Sequence, residues 1–205
     1  MSELNEAQKV AWAGFVAGDW QENVNVRDFI QKNYYFDTPD FDLKNSDASL
    51  RIRILVDHAE QTIKVKETKP KENKYSERVE INDLLSVAQA EQMAQSAYEG
   101  TFFLFGGDVG NYLQKHYSKE SIHSLKLISW SQTRRILAVG PENCELTLDL
   151  TEFPDGYYDF ELEIENDDPA TIQKVLAELE KQFDFKANKE NTNQSKVKRA
   201  WEHKK

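Results

Sequence analysis

The chain has 205 residues, 30% of them charged and 39% hydrophobic, with a formal net charge of −10. That is long enough to bury a real core as one folded domain, and the acid excess argues against a general nucleic-acid binder. One cysteine, Cys144, excludes an internal disulfide. With no apolar run near the roughly 20 residues of a membrane span and a polar start in place of a signal peptide, the reading is cytoplasmic with no membrane partner.

Ser2 can cap a helix over 3–17, with Leu4, Ala7, Ala11 and Phe15 as its stripe. "NVNVRDFIQKNYYFD" reads as extended, and "DTPD" is a turn around Pro39. Strands follow over 49–56 and 61–68, joined by the polar "DHAE". A charged loop, 69–74, leads to a strand over 75–83. From Leu84 the period becomes helical, through "LLSVAQAEQMAQSAY", "GDVGNYLQKHY" and "SIHSLKLI", so a helical insert is expected at about 84–126. Strands resume over 127–138, 144–153 and 157–165, the last two joined by "PDG" as the clearest hairpin in the chain. Asp168 caps, and Pro169 begins, a helix to Phe183. "SKVKRAWEHKK" reads as a last short helix. Strands, helices, strands, helix: the pattern predicts a single α+β domain over 1–205 with an antiparallel sheet.

The strands carry their charges by sign. "SLRIRILV" puts Arg51 and Arg53 opposite Leu50, Ile52 and Ile54, and "TIKVKET" puts Lys64 and Lys66 opposite Ile63 and Val65. "CELTLDL" puts Glu145, Thr147 and Asp149 on one face, and "DFELEIE" puts Glu161, Glu163 and Glu165 there. One reading is an ordinary solvated sheet face with cross-strand ion pairs. The other is a ligand site, because like charges along one face repel unless a counter-ion offsets them. Basic strands suit a polyanion, and acidic strands suit hard divalent cations.

"YYFDTPDFDL" followed by "ASLRIR", "TIKVKET", "TRR" and "LTLDLTEFPDGYYDFELEIE" resembles the CYTH superfamily of triphosphate tunnel metalloenzymes, closest to cytoplasmic members from Gram-positive bacteria. The resemblance runs over about 33–199 and is specific because the motifs keep their order. It implies a closed antiparallel β-barrel with surrounding helices and inward basic and acidic side chains. It implies Mg²⁺ or Mn²⁺ as cofactor. It also implies a triphosphate-containing small molecule as partner: inorganic or thiamine triphosphate to be hydrolysed or, in a minority of members, ATP to be cyclised. By position it implies that Arg51, Arg53, Lys64, Lys66 and Arg135, or its neighbour Arg134, grip phosphates. Lys196 and Arg199 join them from the closing "SKVKRAW". Asp149, Glu161 and Glu163 would hold metal or orient water, Glu80 would add an inward acid, and Asp149 and Lys66 would be catalytic.

One departure shapes the expectation. The family's usual opening strand, E-x-E-x-K, has no counterpart here, and "ENVNVR" (22–27) is no substitute. Either the chain starts at an internal methionine, or this form is a barrel short of its first strand and of two metal ligands, with open edges that leave room for a homodimer. Three functions follow: a metal-dependent triphosphatase, an adenylate cyclase on the same scaffold, or a weakened polyphosphate-binding protein.

Overall fold

The computed structural model of the chain describes residues 26–66, 78–184 and 194–204. The helix expected over 3–17 and the loop expected over 69–74 lie outside them. The strands are β1 (Arg27–Asp37), β2 (Ser49–Ile54), β3 (Ala59–Lys66), β4 (Arg78–Leu85), β5 (Lys126–Val139), β6 (Glu145–Glu152) and β7 (Tyr158–Glu165). The helices are α1 (Asp42–Asn45), α2 (Val87–Glu99), α3 (Gly107–His116), α4 (Lys119–His123), α5 (Pro169–Phe183) and α6 (Lys196–Glu202).

The strands form one seven-stranded sheet in the order β4-β3-β2-β1-β5-β6-β7. The pairs β1–β2, β2–β3, β3–β4 and β6–β7 are antiparallel. The α+β class stands. So does the open form of the barrel: among the described residues the sheet does not close, and β4 and β7 are its edges.

The chain packs as two compact units interleaved in sequence. The larger holds the described residues of 31–132, 153–157 and 195–205. Its core is the apolar face of β1 to β4, with Phe36, Leu50, Ile52, Ala59 and Ile63 packed on Ala90 of α2, Val109 and Leu113 of α3, and Phe105. Alternation creates this face, because Leu50, Ile52 and Ile54 stand two apart and share one side of the pleat. Helix α2 starts where a capping box stops β4. Ser86 Oγ accepts from Gln89 N at 3.2 Å, and Gln89 Oε1 accepts from Ser86 N at 3.0 Å. Leu84 and Leu85 therefore end the strand rather than open the helix.

Two acids, Asp37 buried and Asp83 half-buried, order this unit through the backbone. Asp37, at the end of β1, accepts from Thr38 N, Leu43 N and Lys44 N at 2.8, 3.0 and 3.0 Å, tying down α1. Asp83 of β4 accepts from Asp108 N and Val109 N at 2.9 Å each, and so occupies the N-terminus of α3. Gly107 is fixed by this contact: its φ is +56°, and a Cβ there would lie 2.4 Å from the Asp83 carboxylate.

The smaller unit holds the described residues of 1–30, 133–152 and 158–194. Here α5 lays Val175 and Leu179 on Cys144, Leu146, Leu148, Leu162 and Ile164. Asp168 caps α5 by accepting from Ala170 N and Thr171 N at 3.1 and 3.2 Å, and Pro169 follows at the first helical position. Leu179 is buried in a small cluster with little room to repack. Leu179→Ala is expected to cost about 2–5 kcal/mol, lowering the midpoint of a thermal melt by roughly 2–4 °C per kcal/mol in a chain of this size.

Candidate functional site

The basic residues of the larger unit lie on the polar face of β1 to β4. Register places Asn33 opposite Arg53, Arg51 opposite Thr62, and Lys64 opposite Glu80. Arg51 Nη2 lies 3.3 Å from Glu60 Oε1, and Arg53 Nη1 lies 3.4 Å from the same oxygen. Arg53 Nε donates to Asn33 Oδ1 at 2.9 Å. The Lys64 ammonium pairs with Glu80. Burial, and then the charges of Arg51 and Arg53, pull Lys64 below its ordinary pKa despite that carboxylate. Burial works against the Glu80 charge, but Lys64, Arg51 and Arg53 outweigh it and hold the carboxyl below its ordinary value.

This face differs from the expected one in two ways. Strand β3 begins at Ala59, so Glu60 and Thr62 share a face with Lys64 and Lys66, and β3 is not pure in sign. Nor is it a simple solvated face: Asn33 is 1% exposed and Thr62 is 0%. Four of its buried polar atoms, Gln31 Nε2, Asn33 Nδ2, Arg51 Nε and Thr62 Oγ1, find no hydrogen-bond partner among the described residues. Lys66 lies further along β3 with its side chain 66% exposed, its ammonium 3.3 Å from Asp47.

The acidic residues gather in the smaller unit. Pairing of β6 with β7 sets Asp149 opposite Glu161 and Thr147 opposite Glu163. One carboxylate oxygen from each of Asp149, Glu161 and Glu163 lies within 4.8 Å of the other two. Asp149 is 0% exposed. Both its oxygens take a forked bond from Arg135, Nε to Oδ1 at 2.8 Å and Nη2 to Oδ2 at 2.7 Å. Glu163 lies 3.7 Å from the same guanidinium. Burial works against the Arg135 charge, but Asp149, Glu163 and Glu161 overcome it and raise its pKa further.

Alternation along β5 sends Arg134 and Arg135 to opposite sides. Arg135 reaches Asp149. Arg134 turns to the other side and grips Asp28 at 3.0 and 2.6 Å, exposed. Glu80, expected as a further metal ligand, pairs with Lys64 in the larger unit. In α6, capped by Ser195, Lys196 is half-buried at the first position and Arg199 is buried.

Charge reading passed over Glu60, Asn33 and Thr62. The signal for Glu60 and Thr62 was alternation itself: Glu60, Thr62, Lys64 and Lys66 run at period two. Asn33 had none, because an uncharged amide on a strand carries no mark of its partner.

Acid should weaken this fold through named groups. Asp28, Glu80 and Asp83 all have pKa values held below the ordinary carboxylate range. For Asp28 the first cause is the Arg134 bond. For Asp83 burial opposes ionisation, but bonds from Val109, Gln61 and Asp108 prevail. A depressed folded pKa means stability that is present above the unfolded value and lost as pH falls through the folded one. Asp37 acts oppositely, since burial, against three backbone bonds, raises its pKa. Asp83→Asn is expected to melt lower at pH 7 and to lose less than the parent chain below about pH 4. Melting curves over that range check it.

Comparison with known proteins gives three findings. The family model of the CYTH domain matches residues 19–199. Two solved structures are similar over nearly the whole chain. A candidate adenylate cyclase from Bacillus halodurans is 26% identical, with 97% of this chain and 92% of that one covered and a TM-score of 0.69. A candidate adenylyl cyclase from Hippeastrum, with a dominant triphosphatase activity, is 19% identical, with 93% and 90% covered and a TM-score of 0.70. Among curated proteins, a stretch of 34 residues, 17% of this chain, is 88% identical to formate acetyltransferase of Haemophilus influenzae and 74% identical to formate acetyltransferase 1 of Escherichia coli. The match spans 4% of the length of each of those proteins.

Proposed function

The chain belongs to the CYTH domain family, and from that membership we propose that it is a metal-dependent hydrolase of triphosphate-containing small molecules. The observation that carries this reading is the group of Asp149, Glu161 and Glu163, three oxygen donors within 4.8 Å of one another. Three carboxylates suit Mg²⁺ or Mn²⁺, which take hard oxygen ligands. These residues would hold the ion, and a bound ion would supply charge neutralisation on the phosphate oxygens.

The chain's own residues do the rest. Arg51 and Arg53 present forked donors to phosphate oxygens, and Lys64 adds a compact charge beside them. Arg135 holds the Asp149 carboxylate in one orientation, so that acid is positioned before anything binds. Catalysis by residues of these kinds is positioning and charge neutralisation rather than covalent chemistry. Lys66, Lys196 and Arg199 would act as outer cations for a longer or substituted phosphate chain.

The test is release of inorganic phosphate from tripolyphosphate and from thiamine triphosphate, with Mg²⁺ or Mn²⁺ and with EDTA. Release that requires the metal supports the proposal. Cyclic AMP made from ATP, with no phosphate released from tripolyphosphate, would overturn it in favour of the cyclase. That outcome has a specific ground in the Bacillus halodurans relative.

A further inference from the structure

The orphaned donors on the polar face of β1 to β3 share that face with the carboxylate that bridges its two arginines. Glu60 Oε1 sits between Arg51 Nη2 and Arg53 Nη1, at 3.3 and 3.4 Å. On either side of this bridge are donors with no partner among the described residues. Asn33 Nδ2 is one, and its amide orientation is fixed because Oδ1 already accepts from Arg53 Nε. Arg51 Nε is a second, and the Thr62 hydroxyl, opposite Arg51 in the register, is a third. A buried polar group without a partner costs about 1–3 kcal/mol, so their clustering on one carboxylate-holding face needs a reason. Donors converging on one acceptor site are what a phosphoryl group requires, with three oxygens each able to accept two bonds.

We propose that Glu60 is an internal stand-in for a phosphoryl group of the substrate, and that Asn33 and Thr62 are uncharged ligands of that subsite. This rests on the triphosphate reading above and adds to it. On binding, a phosphoryl group displaces the Glu60 carboxylate from Arg51 and Arg53. It then also accepts from Asn33 Nδ2, Arg51 Nε and Thr62 Oγ1. The two arginines are thus held on one carboxylate in the free protein, at the cost of a competing anion.

The experiment is calorimetric titration with inorganic tripolyphosphate, in EDTA so that metal binding does not contribute, alongside melting of the ligand-free proteins. Thr62→Val keeps the side chain's shape and removes only the hydroxyl. It is expected to bind roughly tenfold more weakly, the size of one hydrogen bond to a charged group, and to melt no lower than the parent. Asn33→Asp keeps the acceptor for Arg53 and removes the donor, and is expected to lose at least as much. Glu60→Gln removes the competing charge and is expected to bind roughly tenfold more tightly. If the parent binds but Thr62→Val binds equally, or Glu60→Gln binds no better, the subsite is overturned while the triphosphate reading survives. If the parent binds tripolyphosphate neither in EDTA nor with Mg²⁺, the triphosphate reading fails, and the subsite falls with it; binding with Mg²⁺ only overturns the subsite alone.

Discussion

Asp149→Ala is expected to destabilise the chain by about 3–5 kcal/mol, the cost of leaving a buried charge without its partner. Asp149 is 0% exposed and holds both donors of the Arg135 fork, while Arg135 itself is only 17% exposed. Removing the carboxylate therefore strands a guanidinium that cannot turn to water. Glu163, at 3.7 Å, offsets part of the loss. The double variant Asp149→Ala/Arg135→Met should recover much of the stability, since it removes both charges and keeps an unbranched apolar stem. It should not recover phosphate release, because one of three candidate metal ligands is gone. Melting curves and a phosphate assay on the two variants separate these effects. Equal stability of Asp149→Ala and the parent would show that the pair contributes nothing to the fold.

Arg53→Ala has the second large effect, and it falls on binding. Its guanidinium spans Asn33 and Glu60 on the polar face, opposite the core built on Leu50, Ile52 and Ile63. The core loses no contact of its own. The cost to folding is a rearranged ion pair with Glu60, which Arg51 still neutralises, and is expected near 1 kcal/mol. Loss of a forked donor to phosphate is worth more, and tripolyphosphate affinity is expected to fall roughly 10- to 100-fold. Titration and a melt of the same sample check both. Outright unfolding would place Arg53 among structural residues, and unchanged affinity would remove it from the site.

The sequence was most informative where punctuation and period agreed. The β6–β7 hairpin was plain because "PDG" separates two runs at period two, and the same period placed Asp149, Glu161 and Glu163 on one face. Helix α5 was plain because Asp168 and Pro169 carry the two signals of a helix start. The arginines of β2 were legible for the same reason. Boundaries set by side-chain capping were not. The capping box between Ser86 and Gln89 moved the helix start past Leu84 and Leu85, and Asp83 reaches Val109 26 positions away. Lys66, assigned by resemblance, shares the face of Lys64 and stands at the exposed end of β3, paired with Asp47. Distance from the centre of the face, which no period encodes, separates it from Lys64. Glu60 was hidden by a strand start placed two residues late.

The most direct measurement is metal-dependent release of phosphate from tripolyphosphate by the chain and by its Glu161→Gln/Glu163→Gln variant. Both substituted side chains are only half-buried, and glutamine keeps their size, so the variant should melt close to the parent. The account predicts release by the parent with Mg²⁺ or Mn²⁺, none with EDTA, and a fall of at least 100-fold in the folded variant, on the order of the loss when one electrostatic stabiliser is removed. Equal release by variant and parent, or release that persists in EDTA, would contradict it.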